Sequence, residues 1–143
     1  MFKRPEKFTP EYFNGIGAEQ FPEHIGVTVT DLQEGRLTAH FTVKRHHHAP
    51  NGFLHAGSIV TLADTAAGYG CVAHLPEDAS GFTTVELKAN FLGTAREGEV
   101  ECVAQAVHLG RTTQVWDATV THRLTGKTIA LFRCTQMVLY PKG

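Results

Sequence analysis

Apolar and polar residues alternate with period two over residues 25–30 and 36–43, on either side of Glu34 and Gly35. That spacing predicts a β-hairpin. The same period returns four times toward the C-terminus. Val85, Leu87, Ala89 and Phe91 alternate with Glu86, Lys88 and Asn90, and Val100, Cys102, Ala104 and Ala106 mark the next strand, which ends in a loop at 108–111. Trp116, Ala118 and Val120 share one face of 113–121, and 129–140 forms the last strand after a turn at Thr125, Gly126 and Lys127. Between the hairpin and these four strands the pattern changes. From Gly57 to about His74 the chain is apolar on nearly every side of a helical projection, which predicts a helix lying in the core. Turn-forming residues from Pro76 to Gly81 close it. Before residue 25, prolines and glycines are mixed with Phe8, Tyr12, Phe13 and Ile16, and a short helix packing its aromatics on the domain is expected there.

Two strands, one long helix over roughly 57–74 and four tightly connected strands define an α+β fold, with an antiparallel sheet and the helix against one face. Residues 1–143 read as a single domain with its core over about 25–140, without repeats or a linker. A second copy pairing along an edge strand would protect that edge.

Composition narrows the function classes. An apolar fraction of 42%, a charged fraction of 19% and a net charge of -1 are ordinary for a globular protein. They give no electrostatic reason to expect nucleic acid or an anionic membrane as a partner. No apolar run reaches the ~18 residues that span a bilayer, and the start lacks the apolar stretch of a secretory leader. Cys71, Cys102 and Cys134 are odd in number, far apart and set among apolar residues. This pattern suits buried thiols in a reducing cytoplasm better than disulfides. His46, His47 and His48 lack an acidic or cysteine partner at ligand spacing. Neighbours on an extended chain point to opposite faces, so no metal is expected.

The candidate chemistry lies where the loop meets the helix. His48, Ala49, Pro50, Asn51, Gly52, Phe53, Leu54 and His55 lead into Ala56, Gly57 and Ser58, and Asp64 stands in the middle of the apolar helix. A carboxylate there is either solvated or the working residue of a site. Free N–H groups at the first turn of a helix are oriented donors with a favourable dipole, suited to an oxyanion. Ala56 and Gly57 offer no side chain to obstruct close approach. Asp64 lies ~12 Å down the helix axis from Ala56, too far to meet the same atom directly.

On these residues the chain resembles the hotdog-fold acyl-CoA thioesterases, in particular the phenylacetate-degradation (PaaI-type) group. The carriers are the run from Gly52 to Gly57, then Leu62, Ala63 and Asp64 nine residues after His55, and the strand 83–91. The resemblance covers about 25–140 and implies a sheet wrapped around one central helix, acting as a homodimer or dimer of dimers. It also implies hydrolysis of an acyl-CoA to free acid and coenzyme A. No cofactor is implied, since coenzyme A belongs to the substrate.

Residue by residue, the resemblance gives Ala56 the N–H that holds the oxyanion, and Asp64 the role of general base or nucleophile. Asp64 of one subunit faces the loop of the other. His55 would lie by the thioester, and Thr84 matches a Ser or Thr that positions water or the carboxylate. Arg111, in the loop with Gly110 and Thr112, would meet the nucleotide end of coenzyme A. Phe53, Leu54, Phe82 and Phe91 suit an apolar acyl pocket or the core equally, and a helix-capping role for His55, a plain strand role for Thr84 and a solvated Arg111 stay open. Family members commonly carry Asn or Gln six residues before the His, where this chain has Ala49. Asn51, two residues later, either replaces that amide or stabilises the turn, as Asn often does. The rival expectation, which Ala49 favours, is a non-catalytic acyl-CoA-binding protein of the same fold.

Overall fold

The computed structural model describes residues 3–143; Met1 and Phe2, where the polar start read above begins, lie outside them. Six strands form one antiparallel sheet in the order β1-β2-β4-β5-β6-β3. They are β1 (Thr28–Gln33), β2 (Arg36–Thr42), β3 (Gly81–Phe91), β4 (Glu99–Leu109), β5 (Thr113–His122) and β6 (Thr128–Leu139). Helix α3 (Ala56–Ala73) crosses beneath the sheet between β2 and β3 and packs on it. This is the hotdog arrangement implied by the resemblance.

Helix α3 is apolar because most of it is buried in the core. Leu62, Ala63, Ala66, Ala67 and Cys71 are fully buried. Gly70 admits the ring of Trp116, which a Cβ at residue 70 would approach to 2.7 Å. α1 (Pro10–Ile16) stacks Phe13 on Tyr69 of α3 at 4.9 Å between ring centroids.

Four local expectations differ from the structure, three of them before α3 and the fourth in β3. The N-terminal region contains two short helices, α1 and α2 (Phe21–Ile25), where one was expected. The strand expected over 25–30 starts at Thr28, because Ile25 ends α2. Gly26 adopts φ +84°; its N–H reaches Glu23 O, and Val27 N–H reaches Pro22 O. Those two bonds make a Schellman cap, whose apolar–Gly–apolar signature imitates strand alternation. Third, Arg45–His47 is a turn of 3-10 helix, so the histidine triplet is not extended.

β3 is the exposed edge next to β6. A bulge between Thr84 and Glu86 shifts its register, so that Phe82, Thr84, Leu87, Ala89 and Phe91 stand opposite Val138, Gln136, Cys134, Phe132 and Ala130. All five partners are buried, and paired residues share a face. Val85 therefore falls out of phase with Leu87. Leu87 and Phe91 point to the helix side yet remain 41% and 46% exposed, because no further strand covers the edge.

Candidate active site

The approach loop is a closed turn. Ala49 N–H donates to Phe53 O, Gly52 N–H donates to Ala49 O, and Gly52 takes φ +84°. Asn51 Oδ1 accepts the N–H of Phe53 at 3.1 Å, an Asx turn. The Asn51 carbonyl oxygen is thus occupied within the turn. Thr94 Oγ1 accepts the N–H of buried Leu54 at 2.9 Å, and the Arg96 guanidinium lies 5.5 Å from the centre of the exposed Phe53 ring. Sequence reasoning missed both Thr94 and Arg96, since nothing in the run 93–98 marks them as partners of Leu54 and Phe53, 40 and 43 positions earlier.

The donors at the start of α3 can be counted one by one. The N–H of His55 goes to His47 O at 2.9 Å and that of Ser58 to His55 O at 3.0 Å. The Gly57 N–H goes to His55 Nδ1 at 2.7 Å, so the imidazole caps its own helix. Among the described residues the Ala56 N–H has no partner, and Ala56 is exposed. One oriented donor of the first turn is therefore left open, at the positive end of an 18-residue helix. Gly57 serves the cap as well: a Cβ there would lie 2.9 Å from His55 Nδ1.

Asp64 is half-buried in the middle of α3. Its Oδ1 is buried without a hydrogen-bond partner, and burial pushes its pKa above the ordinary carboxylate value. One turn further on, Gly68 faces Phe82, whose ring edge would lie 3.3 Å from a Cβ at residue 68. The Asp64 charge also reaches the buried Cys134 thiol, which stands opposite Leu87. α3 therefore runs against the direction of β3. Asp64, Gly68, Phe82 and Thr84 gather on one side of the helix–sheet interface.

Thr84 Oγ1 donates to Oε1 of fully buried Gln136 at 2.7 Å, and Gln136 Nε2 donates to Cys134 Sγ at 3.4 Å. The hydroxyl proton is spent on the amide, which leaves the lone pairs of Thr84 free to accept. Gln136 also escaped the sequence reading. Its signal was a polar residue at a core phase of β6, in step with Cys134 and Val138.

Arg111 does not join this group within one chain. It lies at the end of the β4–β5 hairpin and makes a two-pronged ion pair with Asp78, 2.8 Å at its shorter arm. That hydrogen bond holds the Asp78 carboxyl below its usual range. The guanidinium also lies over the Tyr140 ring at 4.7 Å, and Tyr140 Oη donates to Arg111 O. Asp78 lies beyond the C-terminal end of α3, a helix ~27 Å long at 1.5 Å per residue that starts at Ala56. The thiols of Cys71, Cys102 and Cys134 are each pushed up to about 12, chiefly by burial.

A sheet wrapped on one long helix is the hotdog fold, and here it carries an open amide at the helix start and a half-buried carboxylate eight residues along. The thioesterase superfamily matches residues 51–129, and the chain belongs to that family. It is 34% identical to a 1,4-dihydroxy-2-naphthoyl-CoA hydrolase of Listeria monocytogenes, over 79% of this chain and 90% of that protein. It is 31% identical to the proofreading thioesterase EntH of Cronobacter sakazakii, over 78% of this chain and 81% of the relative. Among solved structures, a thioesterase from Pseudomonas aeruginosa, crystallised as a glutamine-to-alanine mutant, superposes with a TM-score of 0.88. The match covers 97% of each chain at 30% identity. The chain is a thioester hydrolase, and the non-catalytic binder is set aside.

Proposed function

We propose that the chain hydrolyses acyl-CoA thioesters at a site shared between two copies. Asp64 activates the nucleophile and the Ala56 N–H holds the oxyanion. The open Ala56 donor carries this reading, because every other N–H from His55 to Ser58 is already engaged. Water adds to the thioester carbonyl carbon as its proton passes to Asp64. The carbonyl oxygen takes the negative charge against Ala56 N–H. Collapse breaks the C–S bond, and coenzyme A leaves as the thiolate and takes up the proton. Asp64 can instead attack directly and form an anhydride that water opens; both routes need it ionised.

The ~12 Å between Asp64 and Ala56 in one chain motivates the homodimer, or dimer of dimers. The uncovered edge of β3, with Leu87 and Phe91 half exposed, supplies a surface for it. Sedimentation showing an active monomer at micromolar concentration would refute the shared site. Thr84 accepts a hydrogen bond from the attacking water, and His55 Nε2–H faces the thioester. Phe82 against Gly68 supports an apolar, flat acyl group, in line with the naphthoyl substrate in the name of the Listeria relative. Arg111 recognises phosphate at the nucleotide end, as an arginine fork suits. The buried, protonated thiols fit a cytoplasmic setting.

The test is Ala56→Pro. Proline is tolerated at the first helical position and replaces the N–H by a ring carbon that cannot donate, and His55, at φ -64° and ψ 134°, already has the extended backbone a following proline requires. Loss of one oxyanion donor costs about 10²–10³ in kcat. Thiol release from benzoyl-CoA should fall by that factor with Tm nearly unchanged. Full turnover in this variant would overturn the assignment.

A further inference from the structure

Beside the assigned residues, one further side chain is tied to the turn that opens α3. His47 is 1% exposed and ends the 3-10 turn before the approach loop. Its Nδ1 accepts the N–H of Lys44 at 2.9 Å, so the proton sits on Nε2, which donates to Ile25 O at 2.6 Å. The ring stacks on Phe41 at 4.3 Å. Both nitrogens and one face are thus used, and the neutral Nε2–H tautomer is the only one that satisfies them. Burial acts in the same direction by disfavouring the imidazolium.

A ring held in this way fixes its own backbone. The His47 carbonyl accepts two bonds from the start of α3, from His55 N–H at 2.9 Å and from Ser58 Oγ at 2.9 Å. These donors flank Ala56 and Gly57, one residue before and one after the pair. Pinning both to one oxygen sets the direction of the Ala56 N–H. We propose that His47 is a positioning residue for thioester hydrolysis, its clamped ring holding the carbonyl that aims the Ala56 N–H at the thioester oxygen. This rests on Ala56 being the oxyanion donor. A misplacement of ~1 Å at a reacting centre can cost 10²-fold in rate, so a modest release of the turn would be visible.

The test reads the thioester carbonyl directly. Benzoyl-CoA labelled with ¹³C at the carbonyl is bound to the full-length Asp64→Asn protein, which turns over slowly, and its C=O stretch is recorded by difference infrared spectroscopy. The stretch should move to lower frequency on binding, as a carbonyl that accepts a strong hydrogen bond does. Adding His47→Phe, which keeps an aromatic ring against Phe41 but removes both nitrogens, should shrink that displacement. In the Asp64 background the same change should lower kcat roughly tenfold with KM unchanged. Ser58→Ala removes one of the two bonds to the carbonyl and should move both readouts the same way; it decides the matter if His47→Phe does not fold. Absence of any displacement in the Asp64→Asn parent removes the Ala56 donor, and this proposal with it. A displacement that is lost when Ala56→Pro is added, which separates the Ala56 donor from His55 Nε2–H, yet persists undiminished in the folded His47 and Ser58 variants with kcat intact leaves Ala56 in place and overturns the role of His47.

Discussion

His55 Nδ1 lies 2.7 Å from the amide nitrogen of Gly57, and the imidazole occupies the space that a Cβ at residue 57 would need. In the proposed mechanism capping and chemistry meet in this one ring. Since Nδ1 accepts, Nε2 carries the proton of the neutral ring and is free to donate to a thioester. Asparagine preserves the cap but shortens the outer donor, whereas alanine loses both. A lost cap costs about 1 kcal/mol. His55→Asn is expected to keep Tm and lose turnover, and His55→Ala to lose both. Melting curves beside thiol-release assays separate the two contributions; full kcat in His55→Asn would leave His55 as a cap alone.

Asp64 predicts opposite effects on activity and stability. Its pKa is raised by burial, so the folded protein holds the proton more tightly than the unfolded chain. Any stability linked to that proton is present below the unfolded value of about 3.9 and is lost as pH rises through the raised folded value. At neutral pH the ionised, partly unpartnered carboxylate is a cost. Asp64→Asn should raise Tm at pH 7, and the gain should vanish toward pH 3.5. The same substitution should lower kcat at least ~100-fold, the lower range for losing a general base. In the unmodified protein kcat/KM should rise with pH through the raised Asp64 value. A lower Tm at pH 7 for the variant would contradict the account.

Asn51 has its carbonyl oxygen committed to Phe53 N–H within the turn. Asn51→Ala removes that turn bond and should lower Tm, while kcat, which reads whether the Nδ2 donor meets the substrate, is expected to stay nearly unchanged. A large loss of kcat at constant Tm would show instead that Asn51 replaces the amide absent at Ala49.

Arg111 and Asp78 form an exposed pair that competes with any phosphate for the guanidinium. Exposed pairs of this kind contribute little stability. Asp78→Asn should lower KM for an acyl-CoA while Tm stays constant, and Arg111→Ala should raise KM. Salt should weaken the effect of both changes, because the interaction is screened. Equal KM values in all three proteins would separate Arg111 from substrate binding.

How much of this was legible beforehand depended on how local each feature is. Strand alternation and the all-round apolar helix are written in short windows, because side chains on one face recur every two residues in a strand and every 3.6 in a helix. Element order, the sheet-and-helix architecture, and Ala56 and Asp64 as candidates could be taken from the chain itself. Where a local signal has two physical causes, the reading failed: Ile25, Gly26 and Val27 look like strand alternation but form a helix cap. The bulge at β3 was equally silent, since Val85 and Leu87 differ in phase only through their pairing with β6. What Thr84 donates to and what holds Arg111 were decided by tertiary structure alone. Thr84 and Gln136 are separated by 52 positions, and Arg111 and Asp78 by 33. No periodicity extends over such intervals. A hydrogen bond forms where folding brings a donor and an acceptor within about 3 Å, and that proximity exists only after the sheet has closed around α3.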